Sequence, residues 1–258
     1  YAAIYRRRGS PMAALRRFVV SDFPGTFMAE TRFFWAALAL LCAGLVTGAM
    51  AAVAEPGSVE AIVPPAVRAH LQQGTLWTDA APLSATPLVF GSRVVTNNLA
   101  VALTVFALGL TAGLGTMALL FFNGLHVGVI LALTFEAGLG TRLLGFMAAH
   151  GLVEMASILV AGQAGLILGA AIVAPGELSR ADALRERGRS ALRLLLGTLP
   201  LFFAIGLVEG FVSPGPLFPA PLKLTLGLSL VTLLFGYLVR FGRAARVDDL
   251  RSIDQHGH

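Results

Sequence analysis

Charge is what this sequence has least of. Lysine, arginine, aspartate and glutamate make up 13% of its 258 residues, where a soluble domain carries roughly 25%. Hydrophobic side chains make up 56%, and mean hydropathy is +0.79. That balance excludes an ordinary soluble domain and points to a polytopic membrane protein. Cysteine is nearly missing too. Cys42, inside an apolar run, is the only one, which rules out an intrachain disulfide and any cysteine-based metal site. No G-x-S-x-G elbow, phosphate loop or haem-ligand pattern is present. A zinc-protease helix would need two histidines at i and i+4 with a glutamate between them. His150, Gly151 and Glu154 supply one histidine and one carboxylate, and a third ligand is not evident, so neither metal nor cofactor is expected. No internal repeat stands out, so an inverted-repeat transporter is not inferred. The isoelectric point near 10.3 does not imply nucleic acid, because the basic residues flank apolar segments rather than sharing one soluble face. The chain opens on Tyr1 without a basic n-region and cleavage site, and native residues are expected upstream.

What is present is apolar length and small residues. The 29 glycines suit close approach between transmembrane helices. The expected fold is all-α, with about six transmembrane helices between residues 33 and 241. Residues 1–32 form a basic cytoplasmic or membrane-surface segment, an amphipathic helix broken at Pro24 and Gly25 being one reading. Helix one is read over Phe33–Val53, enough to span roughly 30 Å of hydrocarbon. Residues 55–93 form the one long hydrophilic excursion, with a short helix between Pro65 and Gly74 and a solvated His70. Helix two is read over Leu99–Phe122, capped by Asn97 and Asn98. Asn123–Gly124 is taken as a turn with His126 beside it, and helix three runs from Gly124 to Leu139. Helix four is Leu143–Val173, too long to cross untilted, its excess lying before His150 as a lead-in. A charged loop, 175–193, carries Arg180, Arg185, Arg187, Arg189 and Arg193. Helix five is Leu194–Val212, helix six Leu222–Phe241, and 242–258 is a tail. Close packing is expected at Gly44, Gly48, Gly109, Gly113, Gly151, Gly165, Gly169, Gly206 and Gly210.

Basic residues set the orientation. Six arginines before helix one (among them Arg6, Arg7 and Arg8), the five of the 180–193 loop and four in the tail fall on one side of six spans. Arg68, Arg93, Arg142 and Lys223 fall on the other. Both termini are therefore expected to be cytoplasmic. His150, Glu154, Glu209, Glu136, Asn97 and Asn98 then share the outer half of the bilayer, Glu154 and Glu209 within about two turns of its surface. Three readings of this cluster stand open. It can be hydrogen-bonded packing glue, a site for an ion, proton or ligand, or catalytic machinery.

HGLVE at 150–154, AGQAGLILG at 161–169, PG at 175–176 and VEGFVSP at 208–214 resemble the stage II sporulation protein M family of bacterial integral membrane proteins. So do DFP at 22–24 and the Asn123–Gly124 pair. The resemblance covers most of the chain through the order and spacing of short motifs. It implies a multi-pass component of the bacterial cytoplasmic (inner) membrane and of a cell-envelope complex, since the sporulation member works with peptidoglycan-degrading partners during engulfment. It also points to His150, Gly151, Glu154 and Glu209 as motif positions. The expected function is a non-enzymatic membrane scaffold or assembly subunit, in contact with lipid and with partner proteins or further copies of itself. The alternative is a transporter or channel for a small ion or lipid-like solute, gated by the Glu/His cluster.

Overall fold

The computed structural model describes residues 10–59, 62–80, 86–214 and 218–256, with backbone alone for 56, 80 and 248–256. The expectations for Arg6, Arg7 and Arg8, and parts of those for 55–93 and the tail, lie outside the described residues. Among the described residues the structure is helical without strands, and six helices are long and apolar enough to cross a membrane.

The N-terminal segment begins with α1, Pro11–Arg17. It passes through a π-helical turn at Phe18–Asp22 into α2, Phe23–Ala29, without breaking at Pro24 or Gly25. Proline is tolerated there because it directly follows the π-helical turn, where the Phe23 amide reaches back to the Phe18 carbonyl and the ladder is already displaced. The bend comes at Glu30 (φ −111°, ψ 23°), which leads into the first spanning helix, α3, Thr31–Ala54. Phe23 and Phe27 are buried. This segment therefore packs into the bundle, and a methyl group built at Gly242 would strike the Pro24 carbonyl.

Beyond α3, the short α4, Pro65–Gln72, forms where the double proline and the closing glycine place it, with Gly74 left-handed at φ +69°. The second span, α5, covers Pro87–Ala107, starting twelve residues before the expected Leu99. Thr86 caps it, its Oγ1 accepting from the Val89 amide at 3.4 Å, and Pro87 opens the first turn. Arg93 thus lies inside a helix, and Asn97 and Asn98 sit mid-helix rather than at a cap. The chain then reverses at Thr111–Gly113, where Ala112 (φ 55°) and Gly113 (φ 83°) are left-handed. Thr116 Oγ1 donates to the Val105 carbonyl at 2.7 Å, and the Gly115 amide donates to Thr111 Oγ1 at 2.8 Å, so both severed helix ends are served. The third span, α6, runs unbroken over Leu114–Glu136. Asn123–Gly124 is consequently no turn. Asn123 Nδ2 donates to the Leu119 carbonyl of its own helix at 2.8 Å, and Gly124 faces the Leu41 carbonyl. In lipid an unbroken helix satisfies every backbone group, a stronger demand than the turn preference of one dipeptide.

The lead-in expected before His150 is a separate helix, α7, Gly140–Met147. The fourth span, α8, is Gly151–Val173 and runs through the middle of the bundle, 83% of its apolar stretch buried. The fifth, α9, is Arg180–Phe211, with Ser179 capping the Asp182 amide at 3.2 Å and Pro200 accommodated without a break. The charged stretch read as a loop is therefore helical from Arg180 onward. At 1.5 Å per residue its 32 residues reach about 48 Å, beyond roughly 30 Å of hydrocarbon, so the arginine-bearing turns stand clear of it. The sixth is α10, Ala220–His256.

Glycines fix the helix crossings. Methyl groups built at Gly44 and Gly48 would collide with the Phe121 and Leu125 carbonyls, and at Gly124 and Gly128 with the Leu41 and Leu45 carbonyls, so α3 and α6 lie backbone to backbone and run in the same direction. Gly91 meets Gly206 and Gly210 where α5 crosses α9. Gly109 and Gly165 meet, as do Gly113 and Gly169, where the end of α5 rests on α8. Gly151 meets only the Met147 side chain, at ordinary distances. Large apolar side chains such as Trp35, Met50, Phe122, Phe203 and Leu233 cover the outside and are more than half exposed, as a lipid-facing belt requires. Following the helix directions, the start of α1 and the end of α10 lie at one end of the bundle, and the start of α8 and the end of α9 at the other.

Candidate functional site

At that second end the polar residues converge on one histidine. The backbone breaks at Ala148–His150, where Gly227 of α10 closes onto the Ala148 carbonyl. His150 then takes the position before the first turn of α8, its carbonyl accepting from the Val153 and Glu154 amides at 3.0 Å each. Its ring is 4% exposed and fixed from several sides. Nδ1 is 2.8 Å from Ser213 Oγ, and Phe146 of α7 meets the ring edge-on with centroids 5.5 Å apart. Ser213 is itself held, its carbonyl accepting from Lys223 Nζ at 2.6 Å. Lys223 is the chain's one lysine, and it is buried.

The other ring nitrogen, Nε2, faces two carboxylates. Glu209, two residues before the end of α9, places Oε2 at 3.6 Å, and Glu154, in the first turn of α8, places Oε2 at 4.0 Å. Both gaps exceed hydrogen-bond length. One ligand atom from each of the three residues lies within 4.8 Å of the others. Asn98 stands beside Glu154, and Asn97 Nδ2 donates to Asn98 Oδ1 at 3.3 Å. Two clefts flank the cluster. One, of about 330 Å³, is lined by Glu154, Glu209, Asn98, Arg93, Trp77 and Phe146. The other, of about 710 Å³, lies on the Ser213–Lys223 side and is bordered by Asp79 and Arg142, whose Nη2 donates to both Asp79 oxygens at 3.0 Å.

Of the six polar residues singled out from the sequence, the structure gathers His150, Glu154, Glu209, Asn97 and Asn98. Glu136 lies at the same end but is exposed at the C-terminus of α6, outside the cluster. His126 sits midway along α6 against the backbone of Ile62, not at a turn. Ser213, Lys223 and Arg93 were missed. For Ser213 the signal was the VEGFVSP stretch that also holds Glu209. For Arg93 it was the Thr86–Pro87 helix start, which brings Arg93 inside α5. Lys223 shows no local signal beyond its place after a proline-rich connection.

These features define a six-span, all-helical membrane protein with a histidine–carboxylate cluster built at one end. The chain belongs to the stage II sporulation protein M family, whose model matches residues 37–214. The matched stretch runs from α3 to Pro214 and includes the whole cluster and Ser213. No curated protein and no solved structure matches the chain.

Proposed function

We propose that the chain is a non-enzymatic assembly subunit of a bacterial envelope complex, set in the cytoplasmic membrane with both termini inside and the cluster end outside. Partners of the peptidoglycan-degrading kind, implied by the family, would dock at that end. The observation that carries the reading is the larger cleft, about 710 Å³ and open at the bundle end, where Asp79, Thr141 and Arg142 offer both signs of charge to a protein surface. The packing beneath the cluster favours assembly over conduction, because Ala156, Val160, Ala161, Ala164 and Ile167 of α8 are buried against their neighbours rather than lining a path. A photo-crosslinking residue at Thr141 tests it, with Leu233, 69% exposed on α10, as the lipid-facing control. Position 141 is expected to trap one envelope protein, or a second copy of the chain, and position 233 lipid alone. Position 141 giving no protein adduct, with the chain always purifying alone in mild detergent, would overturn the reading.

A further inference from the structure

We infer that His150, Glu154 and Glu209 form a binding site for one divalent transition-metal ion, with the fourth coordination position open to the smaller cleft. Glu209 is the third ligand that the HGLVE motif lacks, and it comes from a different helix, 55 residues further on.

The geometry at His150 is that of a ligand rather than of a packing residue. Nδ1 is engaged by Ser213, which Lys223 anchors, and this outer contact leaves Nε2 turned toward the carboxylates. Metal-binding histidines are oriented in this way, one nitrogen held by a neighbour and the other given to the ion. The contacts at 3.6 and 4.0 Å are too long for hydrogen bonds. The 3.6 Å gap suits atoms arranged around an ion, since tetrahedral bonds of about 2.0–2.2 Å put neighbouring ligand atoms roughly 3.3–3.6 Å apart, and the 4.0 Å gap is slightly wider. The widest separation, within 4.8 Å, closes by rotating the carboxylates.

An independent observation comes from Asn98. It is 4% exposed and lines the same cleft as Glu154 and Glu209, and its Nδ2, on the side of the Glu154 carboxylate, makes no hydrogen bond within 3.5 Å. A water or anion held on the ion's open side would accept from it. Charge points the same way. Two carboxylates in an apolar bundle are costly without a counter-charge; Arg93 borders their cleft without an ion pair to either, and a divalent cation between them supplies one. One imidazole with two carboxylates suits zinc or manganese better than magnesium, which keeps most of its waters and prefers all-oxygen sites.

The inference does not depend on the assembly reading, because it is tested on the purified chain alone. The full chain, prepared in mild detergent with a tag that binds no metal, is stripped with a chelator and titrated with Zn²⁺ against a chromophoric competitor. Stoichiometry is read by elemental analysis. One Zn²⁺ per chain is expected, with affinity reduced at least about tenfold in Glu209→Gln and in Glu154→Gln and unchanged in Glu136→Gln. Zn²⁺ is also expected to raise the melting temperature of the parent chain but not of Glu209→Gln. No stoichiometric Zn²⁺ in the parent, or equal affinity in the cluster variants, overturns the site. If Glu209→Gln aggregates, the conservative and more exposed Glu154→Gln decides by the same criterion.

Discussion

Gln163 shows how much one polar side chain contributes inside this bundle. It is fully buried at the centre of α8, and its Nε2 donates to the carbonyls of Phe27 and Glu30 at 3.1 and 3.0 Å. These carbonyls belong to the bend where α2 gives way to α3, so Gln163 ties the N-terminal segment to the central helix. A neutral hydrogen bond contributes about 0.5–1.5 kcal/mol net, so losing two costs about 1–3 kcal/mol, offset in part by removing Gln163 Oε1, which is buried without a partner. Gln163→Leu, close in volume, is therefore expected to lower the melting temperature in detergent and to expose the α2–α3 bend to protease. An unchanged melting curve would show that the bend holds without it. The sequence marked Gln163 only as part of a family-like stretch, because nothing local reveals a partner more than 130 residues away.

Helix crossings were legible where small residues recur four apart, as at Gly44/Gly48 and Gly206/Gly210, and so was the number of spans, which apolar length alone sets. The division between the second and third spans was not. Asn123–Gly124 carries the stronger local turn signal, but Gly124 and Gly128 are needed against Leu41 and Leu45, while a less conspicuous Thr-Ala-Gly makes the reversal. Partner geometry, absent from a single helix's pattern, outweighs dipeptide preference. The candidate site was half visible for the same reason. His150 and Glu154 announce themselves one turn apart, whereas Ser213 and Lys223 matter only once α9 and α10 are in place. A paired substitution tests the crossing argument. Gly44→Ala puts a methyl group against the Phe121 carbonyl and should cost about 1–3 kcal/mol as overpacking does. Gly236→Ala in α10, where nothing lies within 4 Å, should be neutral or slightly stabilising through its better helix propensity. Equal melting temperatures for the two variants would count against glycine-mediated packing of α3 on α6.

The charge distribution of the whole molecule is the basis for the orientation proposed above. Arg16, Arg17 and Arg32, the five arginines of early α9, and Arg240, Arg243 and Arg246 of α10 all gather at the end holding the start of α1 and the end of α10. Of the four basic residues at the cluster end, Arg142 is held by both Asp79 oxygens and Lys223 is buried on the Ser213 carbonyl. Ion pairs do not distinguish the two ends, since Arg17, Arg32 and Arg185 opposite are paired as well; it is the number of lysines and arginines near the ends of spans that sets which side stays inside. Impermeant thiol labelling of intact cells reads this directly. With exposed Cys42 first replaced by serine, a Thr141→Cys variant at the cluster end is expected to react from outside. An Ala181→Cys variant, at the start of α9, should react only after the membrane is opened. Ala181 and Thr141 are both exposed and uncharged, so neither change disturbs the charge count that it measures. The reverse labelling pattern would turn the cluster toward the cytoplasm and move the docking end, and any metal exchange at His150, to that compartment.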